Sequence, residues 1–296
     1  MKTKNLLIAL ITTIGISGLL MSCDSEVSSK GTAGVKITDA AVDAENVTGV
    51  YLSVSEVSAR SQSETHTIAA FDSPKVFNVM DYQNGSTFDL GEGEIDAGIY
   101  NELRLILDDG SYVEFEDGTT EPLEVPSGMS SGYKIKGDYQ ISANSRTDLV
   151  IDIDLRKAFV KTGSNTFKLR PTARLVNGEN TGTIRGAISA NEDRVVIYAY
   201  AQGTYNPSEE TPPTEGESRF ENSVNSAVVS NGSFTLAFME PGEYDLIAVS
   251  YDRNDEEETY EFNSATKAEV LLNGSVLNII EVEANTELIL VLNASF

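Results

Sequence analysis

Apolar and polar residues alternate with a period of two along most of the chain. Between positions 48 and 57, Val50, Leu52 and Val54 face one way, and Tyr51, Ser53 and Ser55 the other. Leu103, Leu105 and Leu107 oppose Glu102, Arg104 and Ile106. Leu149, Ile151, Ile153 and Leu155 oppose Val150, Asp152, Asp154 and Arg156. Successive side chains of a strand point to opposite faces, so each run predicts a strand with one face on a core. Turn formers separate the runs: Asn84-Gly85, Asp109-Gly110, Asp117-Gly118, Pro126-Ser127-Gly128 and Thr162-Gly163-Ser164. No segment has the spacing and caps of a long amphipathic helix. The expected fold is all-β.

A polar break at Val176-Asn177-Gly178-Glu179-Asn180-Thr181-Gly182 divides the pattern, and a second alternating series follows. Its strands carry Ile184 and Ile188, then Val195, Ile197 and Ala199, then Phe234, Leu236 and Phe238 after Asn231-Gly232. Tyr244, Leu246 and Ala248 follow Pro241-Gly242, and Leu288, Leu290 and Leu292 close the chain. Short strands with turns at this spacing predict two consecutive β-sandwich domains, 33–177 and 178–296. Residues 203–223 hold Pro207, Pro212, Pro213 and five glutamates, and are expected to form a mobile loop outside the core.

The N-terminus changes the picture. Lys2 and Lys4 precede an apolar run from Leu6 to Leu20, too short for a comfortable membrane span and of the length of a signal-peptide core. The run ends in Leu20-Met21-Ser22-Cys23, which resembles a lipobox. That resemblance implies cleavage before Cys23, acylation of its thiol and new amine, and a lipid-anchored chain. The expected boundaries are a signal peptide at 1–22 and a lipidated tether at 23–32, placing the protein on a bacterial cell envelope, in the outer membrane. The partner expected first is therefore the membrane, through the anchor.

Charge narrows the other partners. The chain has 46 Asp and Glu against 21 Lys and Arg, a formal net charge of -25. Removing 1–22 takes away Lys2 and Lys4 and no acid, so the mature chain is more negative still. It is repelled by nucleic acid and anionic lipid, and attracts divalent cations or basic surfaces. Cys23 is the one cysteine and His66 the one histidine. A zinc site built on several of these residues is excluded, and a Ser-His pair has only His66 to draw on. His66 lies in the polar stretch Ser61-Gln62-Ser63-Glu64-Thr65-His66, read as a surface hairpin loop.

Two resemblances add to this. Val35-Lys36-Ile37-Thr38-Asp39-Ala40, Val47 to Val57, Asp96 to Leu105, Val125-Pro126-Ser127-Gly128, Gly132-Tyr133-Lys134-Ile135, Asp152-Ile153-Asp154 and Lys168-Leu169-Arg170-Pro171 resemble, in order and spacing, a bacterial lipoprotein family known as domain of unknown function 4382. It implies a β-sandwich on a lipoprotein and brings no activity. Gly182-Thr183-Ile184-Arg185-Gly186, Val195 to Ala199, Asn231-Gly232-Ser233-Phe234 and Pro241 to Leu246 resemble the carboxypeptidase-regulatory, transthyretin-like sandwich. Such modules serve as spacers or binding supports.

The candidate chemistry is sparse. Asp152, Asp154 and Arg156 share a strand face, where the carboxylates either form an acid/base or cation-binding pair or are ion-paired with Arg104, Lys168 or Arg170. Asp252, Asn254 and Asp255 have roughly calcium-loop spacing but lack the glycine at the sixth position, so Ca²⁺ competes with a solvated hairpin tip. Otherwise no cofactor is expected. Tyr133, Tyr139, Tyr198, Tyr200 and Tyr205 form either a stacking platform for sugar or core. The leading expectation is a non-catalytic binding or structural lipoprotein that engages glycan or protein. The alternatives are a pilin-like assembly subunit pairing its last strand, Glu287 to Asn293, with a neighbour's sheet edge, and a carboxylate-dependent hydrolase.

Overall fold

The runs read as strands are strands in a computed structural model of the protein, which describes residues 29–40, 47–128, 130–162, 166–211, 218–254 and 259–296. The expected signal peptide, Cys23 and the start of the tether lie outside the described residues. The first twelve strands are β1 (Lys30–Ala40), β2 (Val47–Arg60), β3 (Thr65–Asn78), β4 (Phe88–Asp96), β5 (Gly98–Leu107), β6 (Tyr112–Phe115), β7 (Thr120–Glu124), β8 (Tyr133–Ile141), β9 (Arg146–Asp154), β10 (Phe159–Lys161), β11 (Phe167–Leu169) and β12 (Arg174–Asn177). One helical turn, Leu155–Ala158, follows β9. The rest are β13 (Gly182–Ile188), β14 (Arg194–Ala201), β15 (Asn225–Val228), β16 (Ser233–Met239), β17 (Gly242–Asn254), β18 (Thr259–Lys267), β19 (Glu269–Leu272), β20 (Ser275–Leu277), β21 (Ile280–Val282) and β22 (Glu287–Asn293).

They form two layered units. In the N-terminal unit a four-stranded sheet, β12-β9-β1-β4, faces a larger sheet ordered β10-β11-β7-β6-β2-β5-β8, with β3 also on β2. In the C-terminal unit the sheets are β16-β13-β22-β19-β20 and β15-β14-β17-β18, with β21 on β17. Among the described residues no strand pairing crosses between the units. Each has its own core: Val35, Ile37 and Ile151 pack toward Leu52, Leu103 and Ile135 in the first, and Ile184, Leu236 and Leu290 toward Ile197, Leu246 and Ala248 in the second.

Three expectations are corrected. The last strand, β22, lies inside its sheet, parallel to β13 on one side and antiparallel to β19 on the other. Its β13 side is hydrogen-bonded over 287–292 and its β19 side over 291–293, so the strand as a whole is built into its own sheet and is not a free edge.

The described part of segment 203–223 is exposed at most positions, but Phe220 and Ser223 are buried and tie it to the C-terminal unit. Phe220 is fully buried, its ring 4.6 Å from that of Tyr198 and 6.0 Å from that of Phe262. A short 3₁₀ turn, Pro207–Glu210, is capped by Asn206 and places Glu209 to accept from the Tyr200 hydroxyl at 3.0 Å. The outer face of the β15-β14-β17-β18 sheet carries Tyr198, Tyr200, Val249 and Tyr251, all buried. That apolar face needs a cover, and one phenylalanine in a polar segment provides part of it.

The same packing removes the tyrosine platform. Tyr133, Tyr139, Tyr198 and Tyr200 are buried, and Tyr205 is half-buried, edge-on to Tyr200. A ring closed in by protein offers no face to a sugar.

Candidate functional site

The outer face of β9 carries Asp152 and Asp154, and alternation alone exposes both to solvent. The structure buries Asp152, because the C-terminal unit closes over this face: Asp152 and Thr38 line one small polar pocket with Asn225, Ser226 and Phe238.

Each carboxylate meets a cation there. Arg174 lies opposite Asp152 in the β9–β12 register, and its Nε and Nη2 reach Asp152 Oδ2 at 2.8 and 2.7 Å. Its Nη2 also donates to the Phe238 carbonyl across the junction at 3.1 Å. Arg156 grips Asp154 with two parallel bonds, Nε to Oδ1 at 2.9 Å and Nη2 to Oδ2 at 2.5 Å. Lys157 Nζ stands 3.4 Å from the same carboxylate. The Arg156 side chain is 3% exposed. Its guanidinium lies 4.7 Å over the Tyr198 ring and donates to Ser223 Oγ at 3.1 Å. Lys157 donates to the Ser223 carbonyl at 2.8 Å. The two aspartates therefore hold three cations, each also bound to the C-terminal unit. Planar, bidentate guanidinium contacts suit this role, because they fix direction as well as charge.

Arg104 is not among them. It sits on β5 in the opposite layer and pairs with Glu102 at 2.5 Å. Lys168, on β11, pairs with Glu124 at 3.3 Å. The reason is topological: β9 is flanked by β1 and β12, so strands of the other sheet cannot bring a side chain to its outer face. Arg174 was missed because a register linking positions 152 and 174 leaves no local trace in the sequence, and Lys157 because the strand expected to run on through Arg156 ends at Asp154, where the helical turn Leu155–Ala158 folds Lys157 back to that carboxylate.

Asp39 completes the cluster. Its carboxyl accepts from Gln83 Nε2 at 3.1 Å and, more loosely, from the Leu155 amide at 3.4 Å. Burial drives its pKa well above the carboxylate range, and Asp154 and Asp152 push the same way against the Gln83 bond. Burial also lifts Asp154, but Arg156 and Lys157 outweigh it and leave that group below the ordinary range. For Asp152 burial wins over Arg174 and the pKa rises.

A raised native pKa means that Asp39 contributes stability present below its unfolded value, about 3.9, and lost as pH rises through the native value. Asp39→Asn is expected to raise the melting temperature at pH 7.5 by roughly 2–4 °C, as for about 1 kcal/mol in a chain of this size, and to leave it unchanged near pH 4. Melting curves across that range check it. A destabilised variant at pH 7.5 would show that the ionised carboxylate is needed.

The other candidates lie apart from the junction. Asp252 and Asn254 sit on one face of β17, where Asn263 donates to Asp252 at 3.3 Å and Asn254 donates to Glu261 at 2.7 Å. Asp255 lies outside the described residues. Among the described residues no group of three or more His, Cys, Asp or Glu is placed to hold a metal. His66 lies on β3 just past the hairpin turn, edge-on to Tyr100, with Glu64 at 3.6 Å and Asp96 at 4.0 Å.

Residues 30–171 match the family model described as Domain of unknown function (DUF4382), which is the match expected for the N-terminal unit. No curated protein matches the chain. Solved structures are matched only remotely. The Bacillus anthracis TIE protein is 10% identical with a TM-score of 0.18, over 89% of this chain and 33% of its own, so the chain spans about a third of that protein. BcpA, the major pilin subunit of Bacillus cereus, is 8% identical with a TM-score of 0.20, over 90% of this chain and 71% of its own. The fimbrial anchor protein Mfa2 from Porphyromonas gingivalis is 11% identical with a TM-score of 0.20, over 83% and 98%. Superpositions this poor say nothing of function.

Proposed function

We propose that the protein is a non-catalytic lipoprotein of the bacterial cell envelope, anchored through Cys23 in the outer membrane, that presents two docked β-sandwich units to a glycan or protein partner. One observation carries this reading. The carboxylates of β9, on which a hydrolase would have to rely, are bound to Arg156, Lys157 and Arg174, and those cations hold the C-terminal unit. A general acid needs a proton to give and a base needs room for water. Asp154 has no proton to give, with its pKa held down by paired cations, and Asp152, whose pKa burial raises, is closed in against Arg174. The C-terminal unit is read as a carboxypeptidase-regulatory-like support, and the acidity of the chain argues against nucleic acid as a partner.

The anchor has a direct test. Cys23→Ser is expected to move the protein from the membrane pellet to the soluble envelope fraction. A variant that stays in the membrane after its signal peptide has been removed would take Cys23 out of the account. Treating intact cells with a protease that cannot cross the outer membrane then separates a surface-exposed protein, which is digested, from a periplasmic one, which survives until lysis.

A further inference from the structure

Where the units meet they leave a cleft of about 350 Å³ that the ion pairs do not fill. This volume lies at the lower end of small-molecule sites, about 300–1,000 Å³. Its floor is the outer face of β13 and β16, with Thr183, Arg185 and Thr235. Its wall is the Asn84-Gly85 turn of the N-terminal unit, set so close that a Cβ on Gly85 would lie 3.1 Å from Ala237 Cβ. Asn285, from the β21–β22 turn, stands at the rim.

The lining is neutral and rich in hydrogen-bonding groups. Among the described residues nothing binds the side-chain amides of Asn84 and Asn285. Their left-handed φ values, 55° and 57°, explain why asparagine suits the turns. Both residues line the one cleft. Each amide offers a donor and an acceptor, the pairing that neighbouring sugar hydroxyls require. The charged side chains cancel, since Arg185 Nε is 2.5 Å from Glu287 Oε1.

Phe238 is the aromatic residue of the lining. It lines the cleft half-buried, and its φ is 55°. A bulky residue in the left-handed region costs on the order of 1–3 kcal/mol and persists only where its surroundings impose it. The bond from Arg174 to the Phe238 carbonyl is one such restraint.

We infer that the junction cleft binds a short neutral oligosaccharide, with Phe238 stacked on a sugar ring and Asn84, Asn285 and Thr235 hydrogen-bonded to its hydroxyls. The inference rests on the binding-module reading and names its ligand class. Anionic sugars are disfavoured, because the chain carries a net charge of -25.

The test is calorimetric titration of the full-length chain, in a polyoxyethylene detergent free of sugar, with maltotriose, N,N′,N″-triacetylchitotriose and mannotriose, and with a heparin tetrasaccharide for comparison. At least one neutral trisaccharide is expected to bind, and heparin is not. Phe238→Gly should weaken that binding at least tenfold while keeping or raising the melting temperature, since glycine accepts the left-handed backbone. Thr235→Val, which keeps the shape and loses the hydroxyl, should also weaken it. Binding that survives in both variants would overturn the cleft and leave a glycan-binding protein with its site elsewhere. Binding of heparin alone, or of none of the four, would overturn the inference, while the anchor is judged separately by the Cys23→Ser fractionation.

Discussion

Arg156→Met is expected to lower the unfolding free energy by about 3 kcal/mol, the lower end of the range for breaking a buried ion pair. The guanidinium is 3% exposed and the Asp154 side chain 16%, so removing the cation strands a carboxylate that water cannot reach freely. Lys157, 3.4 Å from Asp154, retains part of the favourable field, which is why the lower end applies. The variant also loses the bond to Ser223 and the stack on Tyr198. Unfolding should then separate into two transitions, one for each unit. Replacing both Asp154 and Arg156 by leucine and methionine should cost less than Arg156→Met alone, because the carboxylate goes with its guanidinium and only Lys157, which is 21% exposed and still bonded to the Ser223 carbonyl, loses a charged partner. Urea denaturation at pH 7.5 measures all three. A loss under about 1 kcal/mol for the single variant would contradict the clamp.

Phe220→Ala is the second large effect, about 3–5 kcal/mol as for other buried phenylalanines. The ring is fully buried and stacked on Tyr198. Its loss leaves a cavity and wets the outer face of the β15-β14-β17-β18 sheet. A change under about 1 kcal/mol would mean that the face tolerates solvent and that segment 203–223 is ornamental there. Arg156 and Phe220 both touch Tyr198. The two changes should therefore fail to add in the double variant.

These two residues show what the sequence could and could not reveal. The alternation of Val50, Leu52 and Val54, or of Leu103, Leu105 and Leu107, is a local signal that a strand has one buried face, and both sets are buried. Phe220 gives no such signal. It stands alone among prolines and glutamates, and only the apolar face it covers, brought to it by the fold, makes it core. Asp152 reads as outward-facing because alternation distinguishes the two faces of a strand but cannot see a second unit closing over one of them.

Strand position is likewise invisible locally. β22 alternates as an edge strand would, and its outward Ile289 and Val291 remain 68% and 52% exposed. Its place beside β13 is set by a pairing over a hundred residues of chain. The turn residues carried further. Asn84-Gly85 and Asn231-Gly232 have the left-handed φ that their types favour, and the first of them walls the junction cleft. What the turn faces, a cleft floored by Thr183 and Thr235 with the strained ring of Phe238, depends on docking and has no sequence signature.

The central claim is that Asp152 and Asp154 hold the two units together as one body. Scanning calorimetry of the wild-type chain tests it most directly. The account predicts a single transition whose calorimetric and van't Hoff enthalpies agree. Two separated transitions in the wild type would contradict it, because units joined by these ion pairs cannot melt independently.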